Sequence, residues 1–457
     1  MSIPAFSHPA FRGWFGVARR DITPPVGIYA RSWGAAKHDR ASAVHRPLTL
    51  TAVVFQEAPA RLPVVLVAMD LGGMWLREAL PVLENVIRSA GIPEERFLLA
   101  FSHTHAGPSV DSANTDKPGG GHIRHYLAGI EKKLGEALGE ARDNLQPAIL
   151  EAACGRCGLA TNRDLFHPEE NRLLVGWNPE GDADDTLVVG RVSAEDGRCL
   201  ATLVNYACHP TILAWENTTI SPDFIGAMRE VVEKDTGAPC VFLQGASGEL
   251  AARHQYVGDP RVADRAGYSL GHAVLGTLYG MLEPCHELDF EGALESGAPL
   301  AVWRANPRKN VPELFSAQIA TVELALKKEW PTEAEIVRRM AECPDRVLME
   351  QLARRLGIRQ SLGDGSHYSS RHRLWVLGDV LFVSVPNEAY SELQTTLRAA
   401  AGDRALFVVT FANGSLGYLS PKSSHRGGSY ASRQSPFAEG CFEQTLQSLT
   451  AEIQKLA

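Results

Sequence analysis

The sequence predicts an α/β fold of mixed, largely parallel sheets covered by helices. Short runs rich in Val and Leu, apolar throughout, recur along the chain as buried strands do. They alternate with longer segments whose apolar residues return every three or four positions, the helical period. A content of 41 glycines, 27 prolines and 45% hydrophobic residues in 457 describes a compact chain with much loop.

The elements follow in order. Strand-like runs at 63–69 and 97–101 flank a helical pattern at 75–90. A helix is expected over 122–145, where Leu127, Ile130, Leu134 and Leu138 keep helical spacing. Runs at 200–207 and 240–243 alternate with helical patterns at 223–234 and 261–282. A helical pattern at 330–356, runs at 375–385 and 405–411, and a helix over 437–456 complete the chain. No repeat, low-complexity tract or long linker interrupts it, so a single domain over 1–457 is expected. Residues 285–330 read differently. Leu300-Ala301-Val302-Trp303 and 317–326 alternate in β fashion, as an antiparallel extension or a second sheet would.

A formal net charge of −8 and a pI near 6.0 give no electrostatic reason to expect nucleic acid or an anionic membrane as partner. No run approaches the roughly 20 apolar residues of a membrane span. The N-terminal Met1-Ser2-Ile3-Pro4-Ala5-Phe6 lacks a basic segment followed by an apolar stretch, so a cytoplasmic location is expected. Eight cysteines in so long a chain do not suggest a disulfide framework. The Cys154-Gly155-Arg156-Cys157 pair has no second pair at metal-site distance and reads as two small buried side chains.

The apolar runs share one property: they end in polar, metal-competent or charged residues. Asp70 follows 65–69, and His103 and His105 follow 97–101. His209-Pro210 follows 203–208, and Gln244 to Glu249 follow 240–243. Asn387-Glu388 follow 380–385, and Asn413 to Tyr418 follow 406–411. In open α/β sheets ligands bind outside the carboxyl ends of the strands. In an extended segment His103 and His105, two apart, point to the same face. Two or three imidazoles, a carboxylate and a phenol suit Zn2+. Each residue alone has a structural role open to it. His105 and His209 could be core histidines bonded to backbone, Glu388 a first-turn carboxylate of the following helix, and Tyr418 a packed aromatic. Their joint placement favours a site.

At these residues the chain resembles the neutral/alkaline (non-lysosomal) ceramidase family, in its zinc-bearing catalytic domain. The resemblance runs from about Gly16 onward. It is carried by Val17-Ala18-Arg19-Arg20-Asp21-Ile22-Thr23-Pro24-Pro25-Val26-Gly27 and by Ser102-His103-Thr104-His105-Ala106-Gly107-Pro108. Asn162-Arg163, Cys208-His209-Pro210, Ser221-Pro222-Asp223 with Gly226, Val385-Pro386-Asn387-Glu388 and Gly417-Tyr418 follow in order. Tyr430 lies twelve residues after Tyr418, the family's spacing for its two site tyrosines. The resemblance implies that His103, His209, Glu388 and Tyr418 ligate zinc. It also implies that His105, Arg163 and Tyr430 handle protons and the substrate carbonyl, and that the reaction is amide hydrolysis by water.

Three departures qualify that implication. In register from Gly248 and Glu249, the position of a serine important to ceramidases is Ala251, and Ser247 does not replace it. The chain is expected to lack the immunoglobulin-like domain that follows the catalytic one in ceramidases. It also shows no secretory signal. The expected function is therefore a zinc-dependent amidohydrolase acting on a soluble or moderately apolar N-acyl compound. An esterase or deacetylase on a polar metabolite or sugar, and a zinc-binding relative without catalysis, are the alternatives. The expected partner is a small-molecule N-acyl or ester substrate, with pocket walls drawn from loops 109–121, 253–260 and 362–374.

Overall fold

The computed structural model describes residues 3–456. An eight-stranded sheet runs in the order Cys240–Gln244, Cys199–Tyr206, Thr186–Ala194, Gln146–Arg156, Ala10–Asp21, Thr49–Gln56, Val64–Met69 and Phe97–Phe101. A four-stranded sheet runs Phe315–Ala325, His367–Leu377, Val380–Ser384 and Ala405–Val409.

Strand periodicity explains the layering. Along Thr49–Gln56, Ala52 and Val54 face helices Leu76–Ala90 and Ile123–Asp143, meeting Val86, Ile130 and Leu134. Val53 and Phe55 point the other way, into a core shared with Trp375, Phe382 and Phe407 of the second sheet. The far face of that sheet packs Val376, Val383 and Val408 on Leu393, Leu397 and Leu449 of helices Glu392–Ala401 and Cys441–Lys455. The result is helix on sheet on sheet on helix, a mixed α/β architecture.

The pairing departs from expectation. Only three pairs within these two sheets are parallel: Cys199–Tyr206 with Cys240–Gln244, Val64–Met69 with Phe97–Phe101, and Val380–Ser384 with Ala405–Val409. The other strands within these two sheets pair antiparallel. Each sheet has helices on one face and the other sheet opposite. Continuous apolar runs therefore report burial on both faces, not strand direction.

Three segments resolve more finely than their patterns. The 330–356 pattern is two helices, Glu333–Ala341 and Arg346–Leu362, with Pro344 between them. The Asp345 carboxylate caps the second, accepting from Val347 and Leu348 N–H at 2.8 Å. The 375–385 run is a hairpin turning at Gly378, where φ is 58° and a Cβ would lie 2.2 Å from the Ala10 carbonyl. Residues 285–330 serve both expected roles. His286–Glu295 and Pro299–Pro307 form a separate antiparallel hairpin, and Phe315–Ala325 joins the second sheet. Cys157 is buried as expected but Cys154 is exposed, and all eight cysteines are free.

The strands of the parallel pairs end together. Asn413 locks the sheets there: its Oδ1 accepts from Leu99 N–H at 2.6 Å and its Nδ2 donates to the Phe97 carbonyl at 3.3 Å. Thr410 N–H donates to the Gln244 carbonyl at 2.9 Å.

Candidate metal centre and active site

His103, His105 and His209 converge at this end, with one ring nitrogen from each within 4.8 Å of the others. His103 does not reach the site by strand alternation. The strand stops at Phe101, and His103 adopts a left-handed conformation with φ of 65°. Its ring stacks on Phe411, centroids 3.6 Å apart, and meets His105 and His209 edge-on at 4.7 and 4.9 Å.

Backbone carbonyls set the tautomers of two of these rings. His103 Nδ1 lies 2.5 Å from the Gly72 carbonyl and His209 Nδ1 lies 2.6 Å from the Ser247 carbonyl. A carbonyl only accepts, so each Nδ1 carries the proton and each Nε2 of a neutral ring presents a lone pair. Those Nε2 atoms face one carboxylate oxygen. Glu388 Oε2 lies 3.7 Å from His103 and 3.2 Å from His209. Burial, with the Arg163 charge, pushes His209 down to about 3, so its ring is neutral near pH 7. Burial likewise holds His105 well below the ordinary imidazole value, reinforced by its histidine neighbours. Neutral imidazole lone pairs and a carboxylate oxygen repel one another at such distances. A cation between them turns the repulsion into coordination, so the donor set fits a divalent metal of the zinc type.

Tyr418 and Arg163 complete the centre. Gly417, at φ 76°, turns the chain into Tyr418–Leu419, which pairs parallel with Glu388–Ala389 so that Tyr418 stands opposite Glu388 in register. Glu388 is thus a strand residue, not a first-turn carboxylate of Glu392–Ala401. Burial and Glu388 push the Tyr418 phenol well above its ordinary value. Arg163 donates from Nε and Nη2 to the Gly248 carbonyl at 3.2 and 2.8 Å, and from Nη2 to the Tyr418 hydroxyl at 3.1 Å. Burial opposes the Arg163 charge, but the oxygens of Tyr418, Tyr256 and Glu388 prevail and raise its pKa. Tyr430 packs edge-on to Tyr418 with ring centroids 5.8 Å apart.

All seven residues singled out in the sequence therefore lie in one cluster of contacts. Asp70 does not belong to it: both its oxygens accept from Arg229 at 2.9 Å, a buried ion pair under the sheet edge. Ala251 is buried and bridges the His209 backbone. The Ser247 hydroxyl accepts from Gln244 Nε2 at 2.7 Å.

The sequence did not signal several neighbours. Trp33 packs on His105 at 5.4 Å between centroids and meets Trp215 and Tyr256 at 6.1 and 5.7 Å. Arg354 donates from Nη1 to the Tyr430 hydroxyl. Trp33 and Arg354 lie in a loop and a weakly patterned helix, where neither period nor motif marks them. Of the loops expected to wall the pocket, 253–260 contributes Tyr256. Residues 367–377 are instead a strand of the second sheet, with Arg373 paired to Glu94 at 3.0 Å, because their alternation is buried between layers. Among the described residues no helix is long and apolar enough to cross a membrane.

No family model matches the chain. It is 25% identical to a curated neutral ceramidase of Pseudomonas aeruginosa over 255 residues, which are 52% of this chain and 36% of that protein. The chain thus matches about a third of that relative's length. Its fold is similar to that of a ceramidase complexed with C2, with a TM-score of 0.67 and 16% identity over 98% of this chain and 75% of that one. It is also similar to the crystal structure of the Pseudomonas aeruginosa neutral ceramidase, with a TM-score of 0.65 and 18% identity over 99% of this chain and 75% of that one. The chain thus shares the fold of neutral ceramidases over nearly all of its length and resembles one of them in sequence over about half of it.

Proposed function

We propose that the chain is a zinc-dependent hydrolase that cleaves an amide (N-acyl) bond with water. The carrying observation is the convergence of His103 and His209 Nε2 on Glu388 Oε2, at 3.7 and 3.2 Å, with both Nδ1 atoms bound to carbonyls. His103, His209, Glu388 and Tyr418 would hold the metal. Bound Zn2+ would supply Lewis acidity and make hydroxide available near neutral pH.

The remaining chemistry falls to the chain's own side chains. His105, neutral because it is buried, is a base that takes the proton of the attacking water and returns it to the leaving nitrogen as the C–N bond breaks. Its ring is steadied by Trp33, and its Nε2 lies 3.3 Å from His103 Nε2. Arg163, fixed by the Gly248 carbonyl, and the Tyr430 hydroxyl stabilise the oxygen that becomes negative as water adds to the carbonyl carbon. Ala251 offers no nucleophile and the Ser247 hydroxyl is buried, which supports water as the attacking group.

Metal analysis of protein purified without added zinc tests the reading. Stoichiometric zinc in the wild type, lost in His103→Ala and Glu388→Gln, is expected. Substoichiometric metal in both wild type and variants overturns it. A panel of acyl-amides and acyl-esters of varied chain length then separates amidase from esterase or deacetylase activity.

A further inference from the structure

We propose that Arg354 binds a carboxylate of the substrate, so that the chain acts on N-acyl amines carrying a second, anionic group, such as N-acyl amino acids. This rests on the hydrolytic reading of the same site and names its substrate class.

Arg354 stands on helix Arg346–Leu362 and hydrogen-bonds the Tyr430 hydroxyl, which itself packs on Tyr418. The helix is firmly held. Arg359, one turn on, donates to the Pro331 and Trp330 carbonyls at 2.9 Å, and Gly357 sits so close to Trp75 that a Cβ would come within 2.6 Å of the indole. A guanidinium on such an element is preorganised for recognition.

Its charge is left without a carboxylate partner. Among the described residues no acidic group lies within 4.0 Å of Arg354, and the oxygens that favour its charge are those of Tyr430, Tyr418 and Glu388. Glu388 is already taken by the two imidazoles. Neighbouring arginines are paired: Arg31 with Glu350 at 2.8 Å, and Arg346 with Asp39. Arg163 is buried, whereas Arg354 keeps partial exposure beside the same tyrosines. It is therefore less enclosed than Arg163.

The charge balance points the same way. With a divalent metal held as proposed, the guanidiniums of Arg163 and Arg354 would add to its charge, while Glu388 is shared by the imidazoles and Glu350 is paired with Arg31, so positive charge would exceed what a single developing oxyanion neutralises. A planar carboxylate matches the guanidinium fork. The wall beside His105 adds a donor without an acceptor, since the Trp33 indole N–H is buried with no partner among the described residues. Such a site favours a compact, acceptor-rich ligand.

The test compares N-acetylglycine and N-hexanoylglycine with their carboxamide counterparts, in wild type, Arg354→Gln and Arg354→Lys. The readouts are kcat/KM and, separately, binding to the purified protein by calorimetry. Wild type is expected to prefer each carboxylate by about 10- to 100-fold, the range of a charge-assisted hydrogen bond. That ratio falls toward parity in Arg354→Gln and is partly restored in Arg354→Lys. Equal treatment of carboxylate and carboxamide by wild type overturns the proposal. So does an Arg354→Gln variant that loses activity on both alike, which would make Arg354 a positioning residue for Tyr430. If no amide is hydrolysed yet the carboxylates alone bind, and bind through Arg354, the recognition stands and the hydrolytic reading fails.

Discussion

His103 and Phe411 both hold left-handed backbone conformations, with φ of 65° and 52°, and their rings stack 3.6 Å apart. Such conformations cost on the order of 1–3 kcal/mol each in non-glycine residues. They persist because the paired sheets determine the chain on both sides, and they aim the imidazole across the strand ends. Phe411→Ala removes the stacking surface. It is expected to cost about 3–5 kcal/mol in chemical denaturation and to lower metal occupancy more than Phe411→Leu does. Arg163 works by the shape of its fork as well as by charge. Arg163→Lys keeps the charge but loses the paired hold on Gly248, and turnover is expected to fall about 10²- to 10³-fold with metal content unchanged. A variant with wild-type turnover would remove Arg163 from the reaction.

The strand ends and the turns after them bring these side chains together. Gly248 shows how tightly: a Cβ there would lie 2.7 Å from the Tyr390 ring and 3.0 Å from the Ala389 carbonyl, while its own carbonyl holds Arg163. Gly248→Ala is expected to cost about 1–3 kcal/mol of stability. Its activity should fall further than the folded fraction does, measured by turnover beside circular dichroism. The next residue, Glu249, accepts from Ser391 N–H at the start of helix Glu392–Ala401, at 2.9 and 3.0 Å. Burial pushes its carboxyl up to about 7, against the Ser391 hydrogen bonds. In the unfolded chain it ionises near ~4.3, so between these values the folded state keeps a proton the unfolded state has lost. This group therefore makes stability fall as pH rises through that window. Glu249→Gln should flatten that part of the profile, read by denaturation at about pH 5 and about pH 8.

For the molecule as a whole, the two sheets share a core and meet the candidate metal centre at one end. Metal bound only by the folded chain adds stability by mass action, about 4 kcal/mol at a free concentration ~1,000-fold above Kd. Chelation is therefore expected to lower the melting temperature of wild type and to leave that of His103→Ala little changed. The α/β class, most element positions and the donors that cluster at the strand ends (His103, His105, His209, Glu388 and Tyr418) were legible in the sequence itself, whereas Arg163 and Tyr430, which join that cluster, came only with the family resemblance. Apolar runs, helical spacing and donors at run ends are local signals that survive without neighbours. Strand direction was not legible, because a run buried on both faces is apolar whether its partner runs parallel or antiparallel. The hairpin at Gly378 and the break at Pro344 were hidden inside longer apolar patterns. Nor could the His103-Thr104-His105 spacing alone explain how the rings meet, since a left-handed turn outside the strand orients His103. Trp33 and Arg354 carry no motif. They acquire a role only because helix Arg346–Leu362 and the loop around Trp33 fold against strand ends far away in the chain. Local chemistry was written in the order of residues, while pairing direction, ring orientation and the free charge of Arg354 arose from contacts between distant segments.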